Sequence, residues 1–255
     1  MSTMLQPAPE GNAQPLISRV LAQGRYETVT ALRNGEQLLV SIILPLLALF
    51  GTVWTGLLDT HETRGIDIAV PGVLALAVLS SAFTGQGIAT SFERRYGVLA
   101  YLSTTPLGPA GLLLGKALSV LALLVVQVSV IGGVGLALGW RPDLAGLPWT
   151  ILFLACGAGA FTALGLLIAG TTKPEATLAL TNLLWVLLGA LGGAVFPVPE
   201  LGLWSTLASF LPSAALGDGL RAALMDGALD GPALLVLLGW AALATLAAVR
   251  WFRWR

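Results

Sequence analysis

Lys116 closes the one stretch of this sequence with a look of nucleotide chemistry, Gly111-Leu-Leu-Leu-Gly-Lys-Ala117. A phosphate-cradling loop needs Gly, four residues, then Gly-Lys-Ser/Thr, so that backbone N–H groups wrap the phosphates and a hydroxyl holds magnesium. Here only three residues separate the glycines, Ala117 has no hydroxyl, and the stretch opens an apolar run. Lys116 is therefore expected to snorkel or face a headgroup. The single histidine, His61, precedes Glu62 but has no second histidine at zinc-binding spacing, and its neighbours Asp59 and Asp67 suit a solvated outer loop. The single cysteine, Cys156, sits in an apolar run and reads as a small buried hydrophobe. No Gly-x-Ser-x-Gly elbow is present. The expectation is a chain with no catalytic residue, no metal site and no cofactor of its own, hence not an enzyme.

The composition explains why such chemistry is thin. Of 255 residues 56% are hydrophobic and 10% charged, whereas a soluble domain carries about 25% charged residues. The mean hydropathy is +0.86. A water-facing surface cannot be built from these residues, and lipid removes the need for one. The 13 basic and 13 acidic residues balance, so there is no basic stripe for nucleic acid.

The elements are all-α and polytopic. A spanning helix needs about 20 apolar residues, at ~1.5 Å rise across ~30 Å of hydrocarbon. Six windows qualify: 38–58, 68–90, 112–138, 148–170, 177–196 and 232–249. Ten of the 13 basic residues, among them Arg19, Arg94, Lys173 and Arg250, fall on one side of this threading. Only Arg64, Arg141 and Arg221 fall on the other, so both termini are expected in the cytoplasm and the chain in the cytoplasmic membrane. Residues 1–14 read as a disordered cytoplasmic tail. Residues 15–37 read as an amphipathic helix lying in the inner headgroup layer, touching membrane lipids, ahead of a transmembrane domain over 38–255. Between 197 and 231, prolines and glycines interrupt a moderately apolar stretch. Its pieces are half the length of a span and fit short re-entrant helices in the outer leaflet, or an outer loop.

Between the second and third windows lies the most informative loop. Glu93, Arg94 and Arg95 precede the apolar Val98, Leu99 and Leu102, which suits a short docking helix along the membrane surface, and Pro106, Gly108, Pro109 and Gly111 then break it. Within the spans Thr181, Asn182 and Trp185 lie on neighbouring turns and could line a pathway or bond between helices. Gly189, Gly192 and Gly193 permit close approach, either within the chain or at an interface with a second copy.

The run Glu93-Arg-Arg-Tyr-Gly-Val-Leu, then Thr105-Pro-Leu-Gly, then Leu114-Gly-Lys116 resembles the membrane subunits of type-2 ATP-binding-cassette exporters, as do Arg25-Tyr-Glu, Arg33-Asn and Leu44-Pro45 upstream. Val98 stands where that family usually has Thr. The resemblance implies a six-helix permease without its own ATPase site. A separate ATPase subunit would bind ATP and magnesium and receive Glu93, Arg94, Arg95, Tyr96 and Gly97 as a coupling helix. It further implies two permease copies, or a related partner permease, meeting along the first, second and fifth spans to move a drug, a lipid-like molecule or another amphipathic substrate. The rivals are an ion-coupled secondary transporter and a non-transporting membrane scaffold or assembly factor.

Overall fold

The computed structural model describes residues 14–59, 63–198 and 202–252, with only the backbone of Glu36, Gln37, Val40 and Trp204. His61, Glu62, Glu200, Arg253, Arg255 and the tail through residue 13 lie outside the described residues. Among the described residues all regular structure is helical.

α1 (Leu16–Arg33) stops at Asn34, whose non-helical backbone separates it from α2 (Gly35–Thr55). The amphipathic helix expected over 15–37 is thus corrected at its end, because the Asn34 N–H turns back to the carbonyls of Thr30 and Ala31. α3 (Gly65–Val78), a π-helical segment (Leu79–Gly85) and α4 (Gln86–Arg95) form one continuous run. Gly97, at φ 79°, ends it in the left-handed region that an unbranched backbone enters without a Cβ clash. The short α5 (Val98–Leu102) follows. This corrects the expected docking helix: Glu93, Arg94 and Arg95 form the last turn of the long run, and only the residues after Gly97 form a separate helix.

α6 (Gly108–Ala137) carries Pro109 in its first turn, where a missing N–H costs nothing, so it begins earlier than the expected 112. A 3₁₀ turn (Leu144–Gly146) leads into α7 (Leu147–Thr171), followed by α8 (Pro174–Ala190), α9 (Leu203–Ala208), α10 (Pro212–Asp226) and α11 (Gly231–Trp251).

Four of these helical runs are long and apolar enough to cross a membrane: Gly65–Arg95, Gly108–Ala137, Leu144–Thr171 and Gly231–Trp251. Two shorter apolar helices, Ser41–Thr55 and Pro174–Ala190, occupy the first and fifth expected windows. α3 is the centre of the bundle, with Ala69, Val70, Val73 and Val78 wholly buried, as befits a helix apolar on every side. α2, α6, α7 and α10 pack around it. Below it Phe83 and Phe161 meet edge to face at 6.3 Å. Outward-facing Leu47, Val125, Leu183, Leu235 and Leu246 make a surface that hydrocarbon matches and water does not. Charge gathers at the two ends of the bundle. Arg64 pairs with Asp67 at 2.8 Å and reaches the Gly139 carbonyl at one end, and Arg95 pairs with Glu175 at the other.

Candidate functional site

At the Arg95 end the side chain of Lys116 has no exposed surface, and its Nζ lies 2.8 Å from Glu27 and 2.9 Å from Glu93. The expected snorkelling position is therefore corrected. A lysine that reached water would leave both carboxylates without a counter-charge, so burial in their midst is the better solution. Glu27 also accepts a hydrogen bond from Gln23 Nε2 at 2.9 Å. Three elements meet here: α1 through Glu27, α4 through Glu93 and α6 through Lys116.

α1 supplies its carboxylate by packing inside out. Its buried residues are Gln23, Gly24 and Glu27, whereas Leu16, Ile17, Leu21 and Tyr26 face outward. A helix with its polar side against protein and its apolar side exposed matches lipid rather than water on the outside. Two glycines make the seat. A Cβ on Gly24 would stand 2.7 Å from the Leu118 side chain, and one on Gly115 would stand 2.7 Å from Gln23, so the two helices approach closely where the triad forms.

The other residues singled out around the loop are placed as follows. Arg94 donates to the Thr172 carbonyl, and Arg95 meets Glu175 at 2.5 Å in an open pocket shared with Lys173. These contacts tie the end of α4 to the α7–α8 junction. Beyond them Tyr96 and Tyr101 are 74% and 72% exposed, and Leu99 turns inward onto Leu107 and Leu112. The free surface of this end thus combines two tyrosines, Tyr96 before Gly97 and Tyr101 on α5, with the exposed charges of Arg95, Lys173 and Glu175.

A second feature lies between α2, α3 and α8: an open apolar cleft of about 380 Å³ lined by Ala48, Gly51, Thr52, Leu76, Trp185 and Gly189 among others. Trp185 Nε1 donates to Ser80 Oγ at 2.9 Å, which fixes the indole against the π-helical segment. Of the three pathway candidates only Trp185 lines the cleft. Thr181 is buried and donates to the Thr177 carbonyl, and Asn182 is exposed. Gly189 is on the cleft wall, where an added Cβ would stand 2.9 Å from the Leu76 side chain. Gly192 and Gly193, the other two glycines singled out, take the within-chain alternative here. Both are buried within this chain against α10, where Ser213 donates to the Gly192 carbonyl at 2.6 Å and an added Cβ on Gly193 would meet Ala214.

Two polar anchors escaped the sequence reading. Gln127 of α6 donates to Ser81 Oγ at 2.8 Å and to the Ser41 carbonyl at 3.0 Å, joining three helices in the bundle interior. Arg221, expected in an outer loop or re-entrant piece, is buried on α10 and donates to the carbonyls of Gly193 at 2.7 Å and Ala194 at 3.0 Å. It also pairs with Asp218. Those carbonyls are free because α8 has just ended, and their neighbours Val195 and Phe196 close one end of the cleft. Arg221→Met should leave both carbonyls unpaired and lower thermal stability in detergent by about 2–3 kcal/mol. A melting curve matching the unsubstituted protein would show the clamp to be dispensable.

Comparison with known proteins agrees with this arrangement. A family model described as ABC-2 type transporter matches residues 19–225, which includes the triad, the three helices around the cleft and all but the last residue of α10. A protein of Bacillus subtilis (strain 168) named "Putative transport permease YvfS" is 26% identical over 226 residues, covering 86% of this chain and 90% of its own. With its all-helical bundle and apolar spans, this chain belongs to the ABC-2 type transporter family and is a membrane permease subunit.

Proposed function

We propose that the chain is the permease of an ATP-driven exporter, working as two permease copies with two separate ATPase subunits that bind ATP and magnesium. In this reading six helical runs span the cytoplasmic membrane: α2, Gly65–Arg95, α6, α7 with its preceding turn, α8 and α11. Both termini are cytoplasmic, and the Tyr96–Leu102 end receives the ATPase. The observation that carries it is the continuity of Gly65–Arg95. One helix holds Leu76 on the cleft wall and, at its far end, Arg94 and Arg95 beside the exposed tyrosines. A push on that end can tilt the cleft wall without any intervening hinge loop. The cleft's apolar lining favours an amphipathic or lipid-like cargo; in this orientation it lies toward the outer ends of α2 and α8, and Gly189 and the free face of α8 favour a second copy closing it.

Co-expression with a cassette ATPase encoded alongside it, followed by detergent purification, tests this reading. The ATPase should co-purify and hydrolyse ATP in the complex. Tyr101→Asp should reduce its retention about tenfold or more, the usual loss for an aromatic anchor at an interface. Retention unchanged by Tyr101→Asp would move the docking surface elsewhere, and a chain that carries substrate with ATP hydrolysis blocked but not with the ion gradient collapsed would be an ion-coupled carrier instead.

A further inference from the structure

We propose that the Glu27–Lys116–Glu93 triad is a strut that delivers movement of the α4 end to α1 and through it to the cleft, with Glu27 the positioning residue on the receiving side. The proposal rests on the reading of α4 and α5 as the ATPase-facing end. Lys116 is the single cation between two carboxylates, one on α1 and one on the last turn of α4, and it lies within 2.9 Å of each. Glu93 is two residues from the Arg95 that ends α4, so it cannot stay in place when that turn moves.

On the α1 side a buried charge contact is set into a close seat of α1 on α6. The buried residues of α1 are Gln23, Gly24 and Glu27, and its large apolar side chains face away from the protein. A helix docked through apolar packing would slide or tilt with little penalty between similar contacts. A buried ion pair instead fixes register, since displacing either partner strands a charge, and this is the best-attested use of such pairs. The close seats at Gly24 and Gly115 hold the geometry in which Glu27 reaches Lys116.

From α1 the route to the cleft runs along α2. Only Asn34 separates α1 from α2, and α2 contributes Ala48, Gly51 and Thr52 to the cleft. The opposite wall receives its motion directly, because Leu76 and Ser80, the partner of Trp185, are on the same continuous helix as Glu93. The strut thus makes two walls of one cleft respond to one displacement. This is a claim about coupling, so it needs a measurement of movement rather than of stability.

The test uses the full complex with its ATPase in lipid nanodiscs, in a Cys156→Ala background, with spin labels on the exposed Leu32 of α1 and Leu246 of α11. ATP with vanadate should change the label-to-label distance in the otherwise unsubstituted chain. Glu27→Met removes the α1 carboxylate while Lys116 keeps Glu93. It should retain the ATPase and trap vanadate as before yet lose the distance change. A distance change of the original size in Glu27→Met overturns the strut. If Glu27→Met does not fold, the isosteric Glu27→Gln decides in the same two ways. Normal vanadate trapping with no α1 movement in the unsubstituted chain would also overturn it. Failure of that chain to retain an ATPase or to trap vanadate would instead overturn the reading of function on which the strut rests.

Discussion

Lys116→Ala is expected to destabilise the protein by about 3–5 kcal/mol, the range for removing one partner of a buried ion pair. The cost arises less from the lost attraction than from what remains: Glu27 and Glu93, both largely buried, facing each other with no cation. Neutralising all three groups at once, with Glu27→Gln, Lys116→Met and Glu93→Gln, should recover most of that loss, because no buried charge is then stranded. Thermal melts of the three proteins, unsubstituted, Lys116→Ala and triply neutralised, in one detergent read the difference. A Lys116→Ala protein that melts with the unsubstituted chain would mean that water reaches the triad freely and that it is not a buried cluster.

Gly146→Ala should be nearly as damaging, by about 3 kcal/mol, at the top of the range for inserting a methyl group into a packed site. A Cβ there would fall 1.7 Å from the Ala223 carbonyl oxygen and 2.5 Å from its carbon, both backbone atoms that no rotamer change can move. The only relief is to lift the end of α10 away from the turn that starts α7, which also breaks the 2.8 Å hydrogen bond from the Asp143 N–H to the Leu224 carbonyl. α10 carries Arg221, so the clamp at the closed end of the cleft should loosen with it. Gly159→Ala is the control, since an added Cβ meets nothing within 4 Å there. It should be neutral or stabilising by up to about 1 kcal/mol, the helix-propensity difference between the two residues. Equal melting of the two variants would refute the close packing at Gly146.

The long apolar helices were legible because hydrocarbon imposes a minimum length on an unbroken apolar run, and α6, α7 and α11 satisfy it with no charge near their middles. Their ends were less legible. Glu93, Arg94 and Arg95 read as the start of a surface helix because three charged residues ordinarily leave an apolar run. The structure keeps them in the helix because each finds a partner brought by distant sequence: Lys116, the Thr172 carbonyl and Glu175. Lys116 was misread for the same reason. Nothing local to it announces that Glu27 will arrive from α1, although Gln23, Gly24 and Glu27, together on one face of an amphipathic helix, are the pattern of a polar face set against protein.

The outer segment divides similarly. Short helices or an outer loop were expected between 197 and 231 and α10 lies there, but Arg221 read only as a charge on the outer side. Its role depends on two carbonyls left unpaired where α8 stops before Gly192 and Gly193, and no periodicity reports that. Among the pathway candidates Trp185 was the informative one, because an indole inside a span must place its N–H, and Ser80 receives it. Thr181 and Asn182, chosen for lying on neighbouring turns, diverge because adjacent positions on a helix point about 100° apart.

Site-directed cross-linking tests the docking of a separate ATPase most directly. In the Cys156→Ala background a single cysteine replaces either Tyr101, exposed beside α4, or Leu144, exposed at the opposite end of the bundle. A thiol-to-amine reagent is then applied to membranes containing both subunits. The expected result is a permease–ATPase adduct from Tyr101→Cys and none from Leu144→Cys. An adduct from Leu144→Cys alone, or from neither position while the two proteins are present, would contradict it.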